Sequence, residues 1–164
     1  MRNTFKLSFH ARVFITLLAL FWTLTGTFMV FQYQREKEFK AKLLDTELQI
    51  HNRFIVGRLR LGDNPDSLIR SLPGAPEGLR ISIIGPDGTV LADNNDSTPF
   101  PQGNHNSRPE VMEARKRGFG YAVGRHSQSD NTDYFYSARL GDNGVVVRSA
   151  EPYNHNVRDF LRAE

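Results

Sequence analysis

The side chains of this sequence that could recognise a ligand are arginines and tyrosines in its C-terminal half. Arginine guanidinium groups form paired hydrogen bonds with carboxylate or phosphate, and tyrosines suit a cleft that is apolar with a few polar groups. The candidate ligand-binding residues are Arg108, Tyr121, Arg125, Tyr136, Arg139 and Arg148. The alternative is that strand alternation places such arginines on the solvent face of a sheet and the tyrosines in its core, with no site between them.

Other chemistry has little support in the sequence. The chain has no cysteine, which excludes disulfides, thiolate zinc sites and cysteine nucleophiles. No serine has the glycine context of a nucleophile elbow, and no glycine-rich phosphate loop is present. The five histidines do not stand at metal-site spacings from one another: His10, His51, His105, His126 and His155. We predict no catalytic residue, no metal site and no cofactor in this chain.

The basic charge of the chain is concentrated at its N-terminus. There are 21 Lys+Arg against 18 Asp+Glu, a formal net charge of +3. Arg2, Lys6 and Arg12 account for that whole excess, so the remainder of the chain is balanced. Because a nucleic-acid-binding domain concentrates positive charge on its own surface, we predict no nucleic-acid partner.

Residues 13–31 read VFITLLALFWTLTGTFMVF, without a single charge. As a helix this segment spans about 28 Å, close to the hydrocarbon thickness of a bilayer, and its threonine hydroxyls can bond to helix carbonyls. A cleaved signal peptide is the alternative, but the apolar run continues beyond the small residues at 25–27. We predict a transmembrane helix, and the basic residues 1–12 place the N-terminus in the cytoplasm and residues 32–164 outside it.

An amphipathic stalk helix is predicted directly after this segment. Residues 32–61 contain no proline, and no glycine before Gly57. Apolar side chains recur at spacings of three and four. This stripe either packs on the domain that follows or pairs with the same helix of a second chain; we predict pairing, since little else covers its membrane-proximal part. The predicted dimer-stalk residues are Phe39, Leu43, Leu44, Leu48, His51 and Ile55.

The rest of the chain predicts a small α+β domain. A short helix at 66–70 precedes strands at 80–84 and 89–93, which are joined by a Gly-Pro-Asp-Gly turn. A second helix is expected to be capped by Ser107, with Pro109 in its first turn, and to end before Gly118. Strands at 120–126, 134–140 and 145–150 follow. We therefore expect a five-stranded antiparallel sheet covered by helices.

Three motifs in this order resemble a known family. RISIIGPDGTVLAD at 80–93, NHNSRPEV at 104–111 and GFG at 118–120, followed by the strand pair, are similar to the extracytoplasmic PAS-like (Cache or PDC) sensor domain of bacterial sensor histidine kinases, especially the phosphate-regulon type. The similarity covers roughly residues 30–153. The chain departs from the family at Gly85, where an acid is more usual, and in ending before a second transmembrane helix and a kinase domain.

The resemblance implies a function. The chain would be the sensory and transmembrane portion of a homodimeric two-component receptor in the bacterial inner membrane, with small ligands held between the sheet and the helix-loop region covering it. An absent cytoplasmic kinase would use ATP and Mg²⁺ and phosphorylate a response regulator. We expect a cytoplasmic tail at 1–12 and a transmembrane helix at 13–31. A stalk with a short second helix would follow at 32–79, a sensor domain at 80–153 and the start of a helix returning to the membrane at 154–164.

Three other functions are compatible with the sequence. The same sensor could precede a chemoreceptor or a cyclase, which the sequence after residue 164 would decide. The chain could also be a membrane-anchored binding protein that needs no further domain. A secreted hydrolase with a cleaved leader has no catalytic set of residues in its favour.

Overall fold

The computed structural model describes residues 8–76, 78–95, 103–126 and 132–152. It divides into two compact units, of which the first contains the chain up to Phe39 and the second begins at Lys40. Residues 1–7 of the predicted cytoplasmic tail and the predicted helical segment at 154–164 lie outside the described residues.

Helix α1 spans Phe9–Arg60 and contains both the predicted membrane segment and the predicted stalk. An 18-residue window within it has a mean hydropathy of 2.0, and none of that window is buried. The hydroxyls of Thr16, Thr23 and Thr27 donate to main-chain carbonyl oxygens three or four residues earlier, as expected for threonines in an apolar helix. The helix is therefore long and apolar enough to cross a membrane.

The second unit is an α+β domain with one antiparallel sheet in the order β2-β1-β5-β4-β3. The strands are β1 Arg80–Ile84, β2 Val90–Asp93, β3 Phe119–His126, β4 Asp133–Leu140 and β5 Val146–Pro152. The shorter helices are α2 Pro65–Arg70 and α3 Pro109–Arg117. The predicted α+β class and the five antiparallel strands are confirmed.

Helices α1 and α3 cover opposite faces of this sheet, because neighbouring residues of a strand point to opposite sides. On the α1 face, the core consists of α1 side chains packed on Ile81, Ile83, Phe135 and Val147. On the α3 face, Val111 and Ala114 pack with Ile84, Ala138 and Val146. At the other end of the α3 face, charged side chains gather beside a second apolar cluster of Tyr134, Tyr136 and Ala150.

Local sequence explains both ends of α3. Gly118 ends the helix in the left-handed conformation, at φ 87°, with its N–H bonded to the Ala114 carbonyl. The predicted cap at Ser107 is wrong, since the N-cap residue is Arg108, whose side chain makes no capping hydrogen bond. The reason is that Pro109 opens the helix and holds the residue before it in an extended conformation.

The predicted dimer stalk also needs correction. Leu44, Leu48 and Ile55 are buried in the core of their own domain, so they do not face a second chain. Phe39 and Leu43 are exposed and His51 is half-buried. Packing on the domain that follows therefore accounts for the buried part of the stripe.

Candidate functional site

The polar end of the α3 face is built around Tyr136, whose ring lies between two guanidinium groups. The Arg125 Cζ is 4.0 Å and the Arg148 Cζ 4.9 Å from the ring centroid. Tyr136 and Arg148 are both buried. Such cation–π contacts are strongest where water is excluded, so the β3, β4 and β5 strands are joined here by electrostatic as well as apolar contacts.

Glu110, from the first turn of α3, reaches the same two arginines. Its Oε1 accepts a hydrogen bond of 2.8 Å from Arg125 Nη2 and lies 3.6 Å from Arg148 Nη1. Glu110 is completely buried, and its Oε2 has no hydrogen-bond partner among the described residues. The carboxylate therefore connects α3 to the sheet through Oε1, and its Oε2 could accept a further hydrogen bond.

A second ion pair, between Arg80 and Asp93, extends the cluster to β1 and β2. Arg80 donates from Nε to Asp93 Oδ1 at 3.1 Å and from Nη2 to Oδ2 at 3.0 Å. Ser82 links the two ion pairs. Its hydroxyl accepts a hydrogen bond of 2.9 Å from Arg148 Nη2 and donates one of 2.9 Å to Asp93 Oδ2. We call Arg80, Ser82, Asp93, Glu110, Arg125, Tyr136 and Arg148 the arginine cluster.

Among the residues that the structure describes, the arginine cluster contains more guanidinium groups than carboxylates. The three guanidinium groups of Arg80, Arg125 and Arg148 face the two carboxylates of Asp93 and Glu110. Burial lowers the pKa of Arg148, against the opposing effect of Glu110, because a buried guanidinium loses the hydration that stabilises its charge. A buried cluster with such guanidinium groups can accept an anion such as carboxylate or phosphate.

A polar cavity of about 490 Å³ opens beside this cluster. It is lined by Arg80, Asn94, Asn95, Thr132 and Tyr134, together with two residues before β1. Among the described residues no group of three or more acidic or histidine side chains could hold a metal ion. The described lining offers the guanidinium donors of Arg80 and the side-chain amides of Asn94 and Asn95.

The structure separates the six candidate ligand-binding residues. Arg125, Tyr136 and Arg148 come together, and Arg108 lies two residues before Glu110 at the start of α3. Tyr121 and Arg139 lie on the α1 face instead, because β3 pairs Tyr121 with Ser137, and Arg139, two residues further along β4, points to the same side as Ser137. Tyr121 stacks on Phe135 there, with ring centroids 5.8 Å apart.

A second buried polar cluster joins α1 to β4 on that face. Ser137 Oγ donates to Asp45 Oδ1 at 2.6 Å, and Gln49 Nε2 donates to the Ala138 carbonyl at 2.9 Å. Arg139 Nη1 in turn donates to Gln49 Oε1 at 3.1 Å. Burial raises the pKa of Asp45. Arg139 therefore orients a residue of α1 and does not share a site with Arg148.

Four members of the arginine cluster were missed at the sequence level: Arg80, Ser82, Asp93 and Glu110. Arg80 and Ser82 alternate with isoleucines, a pattern typical of a strand with one face in water. The α3 helix covers that face instead, which no local pattern indicates. Glu110 stands in the first turn of a helix, where the helix dipole alone accounts for an acid.

A smaller cavity of about 310 Å³ lies on the α1 face. Its apolar lining includes Val56, Leu59, Ile83 and Leu91, and the Arg60–Asp142 ion pair is at its edge. That pair joins the end of α1 to the β4–β5 turn through contacts of 2.6 and 2.8 Å. This cavity is separate from the arginine cluster, because the sheet lies between them.

No family model and no curated protein matches the chain. Four chains of solved structures do match. One is the Bacillus subtilis YkuI protein, with an EAL domain, in complex with substrate c-di-GMP and calcium, at 16% identity and a TM-score of 0.63. The match covers 84% of this chain and 39% of that one. This likeness concerns the fold alone.

Proposed function

We propose that this chain is the sensory and transmembrane portion of a bacterial two-component sensor histidine kinase. Helix α1 crosses the membrane, and the α+β domain is a PAS-like sensor outside the cytoplasm. Two copies work as a homodimer and pass the signal to a cytoplasmic kinase, which uses ATP and Mg²⁺ and phosphorylates a response regulator.

One observation carries the proposal: a single helix contains an apolar window and supplies core residues to the domain. The window has a mean hydropathy of 2.0, and Leu44, Leu48 and Ile55 of the same helix are buried against the sheet. A change in packing at these three residues acts directly on the helix that would enter the bilayer. The five-stranded antiparallel sheet with covering helices agrees with the family that the motifs resemble.

The signal in this proposal is a small anion recognised by the arginine cluster. The guanidinium groups of Arg125 and Arg148, which share the single carboxylate of Glu110, and the neighbouring polar cavity support an anion. A ligand shifts the receptor only if its affinity differs between the two states. Movement of Glu110 relative to Arg125 supplies such a difference, because an anion competes with this carboxylate for the same donors.

Site-directed labelling tests the membrane topology. The chain has no cysteine, so a single introduced cysteine is the only thiol. We expect Lys116→Cys, exposed in α3, to react with a membrane-impermeant maleimide on intact bacteria. Ser8→Cys should react only after the cells are permeabilised. Labelling of Ser8→Cys in intact cells, or of neither variant, contradicts the proposal.

A chimeric receptor tests the output. Residues 1–164 are fused to the second transmembrane helix and kinase of an unrelated receptor, and autophosphorylation in membranes is followed while phosphate or citrate is varied. We expect a response that Arg148→Met abolishes and the exposed control Arg117→Met keeps. No response to either anion contradicts the anion signal, and a chimera inactive under every condition contradicts the receptor proposal.

A further inference from the structure

Helix α1 has a second apolar stripe that its own domain leaves uncovered. Leu43, Ile50 and Phe54 are 50%, 65% and 45% exposed. At 100° per residue these three side chains lie within an arc of about 40°, directly opposite the buried stripe of the helix. A soluble helix packed on one domain needs only one apolar face, so this stripe is suited to a second partner.

The spacing of the stripe repeats every eleven residues. Phe39, Leu43, Ile50 and Phe54 of α1 are separated by four, seven and four residues, and Leu61 follows seven residues later, just after the end of the helix; all are exposed. An eleven-residue repeat pairs helices in a slightly right-handed coil, whereas a seven-residue repeat winds them left-handed. Thr46 and Gly57 lie between these positions, and a Cβ added to Gly57 would meet nothing within 4 Å. Two helices can therefore approach closely along this line.

Charges beside the stripe at residues 42–54 favour one orientation of the partner. Within this range Lys42 and Arg53 lie on one side of it and Glu47 lies on the other, all exposed; Arg58, farther along on the Glu47 side, is paired with Asp63. In a parallel pair with two-fold symmetry, the basic side of one helix faces the acidic side of the other. An antiparallel pair would place Lys42 and Arg53 of both copies against each other, which like-charge repulsion disfavours.

We infer that a second copy of this chain docks in parallel on Leu43, Ile50 and Phe54, in an eleven-residue register. The surface deepens the proposed receptor by naming where its subunits meet, and it rests on that proposal for the expectation that both copies enter one membrane side by side. One side of these helical turns packs in the core of its own domain through Leu44, Leu48 and Ile55. The opposite side of the same turns packs on the second copy.

Cysteine cross-linking of the full chain in membranes tests the register. Leu43→Cys, Ile50→Cys and Phe54→Cys should form disulfide-linked dimers under mild oxidation, several-fold more than the exposed controls Lys42→Cys and Arg53→Cys. A seven-residue register that contains Phe39, Leu43 and Ile50 would instead favour Arg53→Cys over Phe54→Cys, and one that contains Leu43, Ile50 and Phe54 would favour Lys40→Cys over Phe39→Cys. Equal cross-linking at the first five positions, or none, overturns the inference.

A double charge substitution tests the surface independently of oxidation. Ile50→Glu with Phe54→Glu should convert the detergent-solubilised dimer to a monomer in light scattering, whereas Lys116→Glu, at an exposed position of α3, should not. Both substituted side chains are exposed, so circular dichroism should show unchanged thermal unfolding of the domain. A dimer that survives the double substitution overturns the inference. If the labelling of Lys116→Cys is as expected, this result leaves the membrane proposal intact.

Discussion

Glu110 connects the first turn of α3 to strands β3 and β5 of the sheet. It is buried, and it is the acid that faces both Arg125 and Arg148. Buried ion pairs add little net stability when complete, but removal of one partner leaves an uncompensated charge in a medium that solvates it poorly. The arginine cluster is therefore sensitive to the loss of any carboxylate.

We predict that Glu110→Gln destabilises the domain by about 3 kcal/mol, because two buried guanidinium groups lose their anion. Chemical unfolding of the purified chain followed by circular dichroism would measure this. Glu113→Gln is the matched control, since Glu113 pairs with Arg117 on the surface and such pairs contribute less than about 0.5 kcal/mol. Equal losses of unfolding free energy in the two variants would contradict the role assigned to the buried charge of Glu110.

Asp45 differs from Glu110 in having no cationic partner. It is a buried carboxyl that accepts hydrogen bonds but forms no ion pair among the described residues. Its pKa is raised, chiefly by burial and slightly by Glu113. The folded state therefore binds its proton more tightly than the unfolded state. Its contribution to stability is greatest at low pH and is lost as the pH rises through the folded pKa.

We predict that Asp45→Asn stabilises the domain at pH 7 by about 1 kcal/mol, because it removes a buried charge and keeps the acceptor for Ser137. The advantage should disappear as the pH approaches the ordinary aspartate pKa of 3.8. Thermal unfolding at several pH values measures it. Asp87→Asn should show no such gain, since hydrogen bonds from Thr89 lower the pKa of Asp87; a gain in both variants would contradict this account.

At the scale of elements, the asparagine-rich segment before α3 connects the β1–β2 turn to that helix. Asn104 Nδ2 donates to the Asp87 carbonyl at 2.7 Å, and the His105 N–H donates to the Gly88 carbonyl at 2.9 Å. Arg115 of α3 donates to Asn106 Oδ1 at 3.0 Å and to the Gly85 carbonyl at 2.7 Å. The two most distinctive motifs of the sequence are thus partners in one structural contact.

We predict that Gly88→Ala loosens this contact and costs about 1–3 kcal/mol. Gly88 has φ +88°, and an added Cβ would lie 2.4 Å from Asn104 Oδ1. Gly62→Ala separates the two effects, because Gly62 has φ +90° with nothing within 4 Å of the added atom. Denaturant midpoints should fall further for Gly88→Ala than for Gly62→Ala; similar midpoints would mean that the backbone angle alone is responsible.

At the scale of the whole molecule, α1 is the element shared by every part of the proposed mechanism. It contains the apolar window, one side of the domain core and the exposed stripe proposed to bind a second copy. Signal transfer along it requires an unbroken series of backbone hydrogen bonds. A proline removes one such bond and distorts the preceding turn, at about 3 kcal/mol.

We predict that Glu38→Pro combined with Leu43→Pro uncouples sensing from output in the chimeric receptor and leaves the sensor domain folded. Kinase activity should become independent of the anion, while limited proteolysis still yields the intact domain. Glu38→Ala with Leu43→Ile keeps the helix and should retain the response. Normal signalling by the proline variant would exclude transmission through α1.

Residue patterns predicted the elements well, because these depend on neighbours in the chain. The strand predicted at 80–84 coincides with Arg80–Ile84, and the end of α3 at Gly118 follows from the left-handed angle that glycine accepts. The cap at Ser107 failed because the proline two residues later sets the start of the helix. Of the six candidate ligand-binding residues, Arg125, Tyr136 and Arg148 meet in one cluster.

The sequence by itself determined the secondary structure, the fold class and an apolar N-terminal helix, since hydrophobic period and turn chemistry are local properties. Only the tertiary structure decided which partner each face of the sheet and each side of α1 packs against. The order β2-β1-β5-β4-β3 brings Ser82 and Arg148 together across 66 positions of sequence. It also divides one apparent stripe of α1 into a buried and an exposed side. Long-range strand pairing carries this information, and no local spacing encodes it.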